Sequence, residues 1–554
     1  MPHQVRRGDV AALFGLLWAV SCMFLVGLRF TTRENDAVSA SLNVSKSRVF
    51  DLKWTSDSIS NASTMSKNAT LSLVETLPIG DFNLSSAVPQ TFETLIQHVK
   101  TSKFSIDISA MYWNLLGEED RRVYSDADMS KFGADRGRNL LLALTDAAIR
   151  GVKIRVLTAK QTNNMFDKSN TSCSSLPSEL RMLVDAAQQN VQVRCWGGSD
   201  WYGSGILHQK LWIFDRSHVY VGSANMDWKS LAQVMEVGVI MENLSPNSVV
   251  IQDIQKLFKT WWMFASDDFL PAKTDTYFSE KFQHQLQVPK WSLYLPNERR
   301  SDDPFVKAGL SALGNISHQL QILFSTPSDS GNSTEIVSRP SDMFVAASPL
   351  EVTVGDSRTF DEDALVYSIR SAKSSISLSV MDFVPFSMYT PGPLYWPALT
   401  DALLAGVYSK PGLQVRLLVS QWQHTSPQML QALATLEKQA KLCHQTHAQC
   451  SGRLEIKLFR VPGWQNTTSS SGPKSTWPSY TRVNHAKYIV TDTRANVGTS
   501  NMEWGYFYTT AGMSINTNHE PTRQALEKVF ERNWNSPYAN ALKDVMLNNY
   551  QCLQ

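Results

Sequence analysis

The residues best suited to chemistry come as two matching sets. The first reads His208-Gln-Lys210, four residues, Asp215, and then Gly222-Ser-Ala-Asn225. The second reads His485-Ala-Lys487, four residues, Asp492, and then Gly498-Thr-Ser-Asn501. On a strand, positions i and i+2 face the same way, so each histidine and its lysine are expected to project together. Glycine in the following turn permits close backbone approach, and asparagine offers an amide donor. A phosphodiester anion resists attack until its charge is neutralised, which two lysines and two asparagines converging on it accomplish. An imidazole is a competent nucleophile at phosphorus without a metal. A second imidazole can protonate the departing alkoxide and then deprotonate the incoming water. One copy of the set supplies half of this; two copies supply all of it.

Other residues take supporting places. Asp215 and Asp492 are expected to tie the strand turn to nearby donors rather than to react. Glu236, in LAQVMEVGVI, is a candidate acceptor for orienting an imidazole. Tyr112, Trp113, Trp201, Tyr202, Phe383 and Trp422 flank predicted strand ends and offer faces on which bases could stack. His424, in SQWQHTSP, is a candidate contact for a terminal phosphate. No cysteine and histidine spacing suggests zinc, so neither a metal nor a cofactor is expected.

An internal repeat must position these residues. The first half opens with a helical pattern from Phe92 to Val99 and an alternating run from Phe104 to Ala110, followed by ALTDA at 143–147 and a strand pattern from Gly151 to Leu157. The second half repeats the order: a helical pattern from Asp361 to Ala372, a strand from Ser375 to Val380, ALTDA again at 398–402, and a strand from Leu413 to Val419. Such alternation predicts an α/β fold of two tandem lobes related by a pseudo-twofold, with the site between them.

The rest of the chain reads as delivery. A cytosolic tail (1–9) precedes an apolar run from Val10 to Leu28, long enough for a single transmembrane anchor. A cleaved signal peptide is the rival reading; the poor small-residue pattern after Leu25 and the basic Arg29 favour the anchor. Residues 29–85 read as a Ser/Thr-rich stalk, 86–325 as the first lobe, 326–345 as a linker and 346–554 as the second lobe. Sequons at Asn43, Asn61, Asn68 and Asn83 place the body on the lumenal side, as a glycoprotein. Cys173/Cys195 and Cys443/Cys450 could each close a loop there, with Cys552 left over. A formal net charge of +2 points to no polyanion by bulk charge alone, so any nucleic-acid partner must be argued from the site.

These motifs closely resemble the phospholipase D superfamily, whose signature is a duplicated HxK(x)4D…GSxN. The resemblance runs from about residue 75 onward and is closest to the single-pass lumenal phospholipase D three and four type. It is carried by HQKLWIFDRSHVYVGSANMDWKSL (208–231), YWPALTDAL (395–403), RVNHAKYIVTDTRANVGTSN (482–501) and TAGMS (510–514). The resemblance implies an acid 5′-exonuclease trimming single-stranded DNA or RNA in endolysosomes, with phospholipid transphosphatidylation as the alternative. It carries His208, Lys210 and Asn225 to the first half-site, and His485, Lys487 and Asn501 to the second. His208 is then the nucleophile and His485 the general acid/base. Met502-Glu503-Trp504 departs from the pattern, and the Asp492–Gly498 spacing is one residue shorter than Asp215–Gly222. A non-catalytic lumenal scaffold is disfavoured because all six site residues are present. The expected partners are single-stranded nucleic acid or phospholipid, the membrane through the one helix, and a second copy of the chain. A soluble form released into the lumen is also expected.

Overall fold

A computed structural model describes residues 69–160, 173, 176–198, 204–246, 248–265, 276–278, 287–289, 321–327, 336–349, 352, 359–390, 394–463 and 477–551. The first lobe is built on a seven-stranded mixed sheet. Its strands are β1 (Thr70–Thr76), β2 (Ser105–Ala110), β4 (Lys153–Ala159), β5 (Val191–Trp196), β6 (Lys210–Phe214), β7 (His218–Gly222) and β9 (Glu236–Glu242), in spatial order β1-β9-β7-β6-β2-β4-β5. Two short strands, β3 (Trp113–Asn114) and β8 (Met226–Asp227), pair in parallel beside it. β2, β4 and β5 run parallel and are joined through the helices Asp135–Ile149 and Ser178–Ala186, as parallel neighbours require. β6, β7 and β9 complete the sheet antiparallel.

After an isolated ribbon of β10 (Thr276–Phe278) and β11 (Gln287–Pro289), the second lobe repeats this plan. β12 (Gln321–Pro327), β13 (Ile336–Ser348) and the short β14 (Thr359–Phe360) lead into β15 (Ser375–Val380), β16 (Gln414–Ser420), β17 (Arg453–Phe459), β18 (Tyr488–Thr491), β19 (Ala495–Gly498), β20 (Gly512–Thr517) and β21 (Ala539–Ala541). The central order β20-β19-β18-β15-β16-β17 matches β9-β7-β6-β2-β4-β5 strand for strand, including which pairs are parallel. The helices correspond as well: Thr91–Thr101 to Asp361–Ser371, and Asp135–Ile149 to Ala398–Ser409, each of the latter pair carrying its ALTDA. Ile106, Ile108, Val156 and Leu144 in one lobe, and Ile376, Leu378, Leu417 and Leu403 in the other, are fully buried between sheet and helices.

Two expected boundaries move. The stalk was expected to reach residue 85, yet Thr70–Thr76 is a sheet strand whose Leu71, Leu73 and Val74 are buried against β9. Serine and threonine made TLSLVET look like stalk, although threonine suits a pleated strand. Its Glu75 is almost wholly buried and receives Arg532 of the second lobe in two bonds, of 2.7 and 2.8 Å, with Ser86 Oγ and Ala87 N–H also donating to it. Likewise the segment expected as a linker over 326–345 holds most of β13, which pairs with β12 and with β20. Polar residues and Pro340 hid a strand that pairs with nearby β12 and with remote β20.

The pairs Cys173–Cys195 and Cys443–Cys450 are bonded. Among the described residues no helix is long and apolar enough to cross a membrane; the expected anchor at 10–28, the stalk to residue 68 and Cys552 lie outside them.

Because removing Glu75 takes the buried carboxylate from the partly buried Arg532, Glu75→Ala should lower the free energy of unfolding by about 2 kcal/mol. Urea unfolding would measure this, and a loss below about 1 kcal/mol would show that Arg532 finds another partner or water.

Candidate active site

The two histidines stand where the lobes exchange backbone hydrogen bonds. Leu207 bridges Ala511, and Met235 bridges Asn484, both in parallel. His208 N–H donates to Ala511 O at 2.9 Å, and His485 N–H donates to Met235 O at 2.8 Å. The histidines therefore lie in extended segments just ahead of β6 and β18 rather than on the strands, because those segments are engaged by the other lobe. The lysines reach back identically: Lys210 Nζ donates to His208 O at 2.9 Å, and Lys487 Nζ to His485 O at 2.7 Å. All four side chains are buried.

The hairpins behind them explain the aspartates. Asp215 and Arg216 both adopt positive φ (49° and 55°) in a tight turn, and the Asp215 carboxylate accepts the N–H groups of Lys103, Phe104 and Ser105 at 2.7–2.9 Å. Asp492 accepts Lys373 and Ser375 N–H at 2.9 and 3.4 Å from a turn one residue shorter. Gly222 lies against Gly238, and a Cβ there would come within 2.6 Å of both Gly238 Cα and the Tyr220 hydroxyl.

The half-sites differ in how the imidazoles are supported. Glu236, fully buried, meets His485 Nδ1 at 3.0 and 3.1 Å across the lobe boundary. Gly222 pairs with Gly238 and Gly498 with Ser514, so the position matching Glu236 is Gly512. A Cβ at Gly512 would meet Ser500 Oγ at 2.4 Å and Ser348 Oγ at 2.6 Å, leaving no room for a carboxylate. His208 Nδ1 is accordingly buried without a carboxylate partner, with the Thr499 backbone beside the imidazole, while the Tyr506 ring stands edge-on to it at 4.9 Å.

Electrostatics follow this asymmetry. Burial, then Lys210, Lys487 and His485, hold His208 well below the ordinary imidazole value. Burial also lowers His485, but Glu236 opposes it. Burial alone would raise Glu236; His485 and Lys487 instead bring it below the usual carboxylate range. Burial depresses both lysines, Lys487 to about 8 with Glu236 and Asp382 resisting. The pocket thus gathers two buried ammonium groups, offset in part by Glu236, Asp227 and Asp382.

The asparagines complete it. Asn225 Nδ2 lies 3.4 Å from Tyr112 Oη, which donates to Asp227 at 2.6 Å. Asn501 Nδ2 donates to Asp382 at 2.8 Å and to Tyr506 Oη at 3.2 Å. Tyr112 is therefore in the site. Trp113, expected as a substrate contact, is not: paired with Met226 through the backbone, it is buried in the core of the first lobe. Phe383, its counterpart beside Met502, is buried too. Exposed His424 stacks on Tyr480 at 4.9 Å and meets Trp422 edge-on at 4.7 Å, an aromatic group just beyond β16. Trp201 and Tyr202 lie outside the described residues. Asp382, Tyr506 and Gly512 escaped the sequence reading; aligning the two repeats would have matched Asp382, two residues past β15, to Tyr112, two residues past β2.

One group among the described residues has metal-ligand chemistry: His98, His218 and Glu242, with ligand atoms within 4.8 Å of one another. It lies at the opposite end of β9 from Glu236, and its members engage each other or the backbone. His98 Nε2 is 3.3 Å from Glu242, and Asn243 N–H donates to His218 Nδ1.

Two α/β lobes, each bringing a His-x-Lys and an asparagine to a shared anion site, define a two-histidine phosphodiesterase. The chain belongs to the phospholipase D superfamily, and within it to the PLD3/4 type. A family model described as "PLD3/4, PLD-like domain" matches residues 324–464, and one described as "Cardiolipin synthase, PLD-like domain" matches 95–262. Phospholipase D Z of Dictyostelium discoideum is 30% identical over 470 residues, covering 85% of this chain and 90% of that protein. The 5'-3' exonuclease PLD3 of Rattus norvegicus is 30% identical over 476 residues, covering 85% and 80%.

Crowding at Gly512 makes a test. Gly512→Ala should destabilise the fold by about 1–3 kcal/mol through overpacking against two serines. Thermal denaturation would read this, and an unchanged midpoint would show that the site has room for a side chain.

Proposed function

We propose that the chain is a 5′-to-3′ exonuclease on single-stranded DNA or RNA that needs no metal and works through a phosphohistidine on His208. The observation that carries the mechanism is the unequal support of the two imidazoles. A neutral imidazole with a free lone pair is the better nucleophile, and burial among positive charges favours that form at His208. An imidazolium beside a carboxylate is the better-held acid, and only His485 has Glu236.

In this scheme an imidazole nitrogen of His208 attacks phosphorus, forming a P–N bond as the P–O bond to the leaving alkoxide breaks. His485 gives that alkoxide its proton. The now neutral His485 takes a proton from water, whose oxygen attacks phosphorus and breaks the P–N bond, returning both histidines to their starting states. Lys210, Lys487, Asn225 and Asn501 hold the non-bridging oxygens throughout. Tyr112 and the His424–Tyr480–Trp422 group provide faces for bases. A phospholipid substrate would pass through the same intermediate, with an alcohol replacing water. The relatives' names support both readings, since they include an exonuclease and phospholipases D.

The same reading makes the chain a single-pass type II membrane glycoprotein of the secretory route, its lobes in an endolysosomal lumen. The apolar run at 10–28, the sequons that follow and two disulfides support it.

Single-stranded oligonucleotides labelled at either end, with chelator present, test the assignment. Stepwise loss from the 5′ end, abolished by His208→Ala and by His485→Ala, is expected. Intact oligonucleotides beside headgroup exchange on phospholipid vesicles would replace it with the lipid reading, and equal residual activity in both histidine variants would sink the mechanism. The pH profile is a separate check. His208 must be neutral and His485 charged, and both imidazoles are depressed, so kcat/KM should peak on the acid side of the ordinary imidazole value, about 6.5. A peak above about pH 7.5 would contradict these roles.

A further inference from the structure

The half-sites also differ in what already occupies their asparagines. In the first lobe a phenol, Tyr112 Oη, stands 3.4 Å from Asn225 Nδ2. At the matching place of the second lobe stands a carboxyl group, Asp382, which accepts the Asn501 amide at 2.8 Å. An asparagine amide has two N–H hydrogens. Asn501 Nδ2 has a second acceptor in Tyr506 Oη, so its donor capacity is committed within the protein. Asp382 is held rigidly in this role: its own carbonyl accepts Met502 N–H at 2.9 Å, and its side chain is buried.

We propose that Asp382 is a positioning residue that competes with the substrate's phosphodiester for Asn501 and Lys487, so that the anion binds as Asp382 takes up a proton. This rests on the phosphodiester reading of the site. As a carboxylate, Asp382 is an anion on the amide a phosphate oxygen needs, and it neutralises part of the Lys487 charge. As a carboxylic acid it is a weaker acceptor, it no longer repels phosphate, and it can donate its own O–H. In the first lobe Asp227 also faces Lys210, but no carboxylate sits on the Asn225 amide: its neighbour is the Tyr112 phenol, which burial, then Asp227, raises well above its ordinary value so that it stays neutral.

The groups facing Asp382 set the range. Burial pushes Asp382 up to about 6, with Lys487 opposing. Glu503, next but one to Asn501, is pushed by burial up to about 7 and adds negative charge over the same interval. Tyr389 and Tyr506 are raised by burial and remain neutral. The sign is therefore fixed: below about pH 6 Asp382 is neutral and the anion is held, and above it each pH unit weakens binding by up to about tenfold. His208 and His485 titrate in wild type and variant alike and cancel in a ratio between the two. Lys487 does not, because losing Asp382 lowers it further, so the comparison is repeated in a Lys487→Arg background whose charge is fixed over this range.

Sulfate is a suitable probe, because it stays a dianion throughout this range and its binding does not depend on turnover. Its dissociation constant would be measured by calorimetry at about pH 5.5 and pH 7.5 for wild type, Asp382→Asn and Asp382→Ser, with Glu503→Gln as a neighbouring control. Wild type should weaken at least tenfold more than the two Asp382 variants between these pH values, on the order expected for loss of one coupled proton. Glu503→Gln should retain most of the wild-type dependence. Parallel profiles in wild type and both Asp382 variants would overturn the proposal, as would weaker sulfate binding by both variants at every pH. The serine variant guards against a folding failure of the asparagine one. On any phosphodiester that is turned over, the same ratio should appear in KM rather than kcat. Asp382-dependent sulfate binding without nuclease activity would leave this proposal standing and remove the exonuclease reading alone.

Discussion

Backbone hydrogen bonds between the lobes fix where the two imidazoles stand. Each histidine donates its own N–H to a carbonyl of the opposite lobe, and the flanking residues return bonds: Ala511 N–H to Ile206 O, and Met235 N–H to Val483 O. A shift of one lobe against the other would therefore move both histidines at once. In-line chemistry at phosphorus tolerates little misplacement, so the remaining interlobe contacts read as bracing. Arg482 is fully buried at the boundary; its guanidinium reaches the carbonyls of Ile79 and Pro462, and its own N–H bonds to Gln233 O. Arg532 grips Glu75 at the outer edge.

Burying two ammonium groups is the electrostatic counterpart of that bracing. Their desolvation is repaid only in part by the protein's own carboxylates: Glu236 for both, with Asp227 for Lys210 and Asp382 for Lys487. What remains is a buried recess in which a bound anion offsets the ammonium charge and dipoles need not reorganise during reaction. The stability given up there has to come from the two sheet-and-helix cores, each nearly continuous in buried Ile, Leu and Val.

Much of this was legible in the sequence because duplication turns weak signals into a strong one. A lone His-x-Lys means little, whereas two, each followed by Asp and then Gly-(Ser/Thr)-x-Asn at spacings that differ by one residue, located both half-sites and the β6–β7 and β18–β19 hairpins. Period-two and helical patterns placed β2, β4, β15 and β16 within a residue or two of their ends. What the pattern missed was long-range. β1 and β13 carry polar residues and join the sheets through the remote strands β9 and β20, so their composition read as stalk and linker. Trp113 sits next to a site residue, but its side chain turns into the core, a distinction set by packing rather than by neighbourhood. Gly512 carries its meaning in what the space around it refuses, and only the three-dimensional neighbours Ser348 and Ser500 reveal that.

The first strand has a consequence for processing. β1 is an edge strand of the catalytic scaffold, and Glu75 at its end is clasped by an arginine more than four hundred positions away. A protease that severs the chain ahead of Ala69 leaves both sheets and that clasp whole. A cut in the loop between Thr76 and Thr91 frees the strand to dissociate and takes with it the partner of Arg532. Cleavage on the two sides of β1 would thus have opposite effects on the fold, and the start of the strand at Thr70 marks the divide.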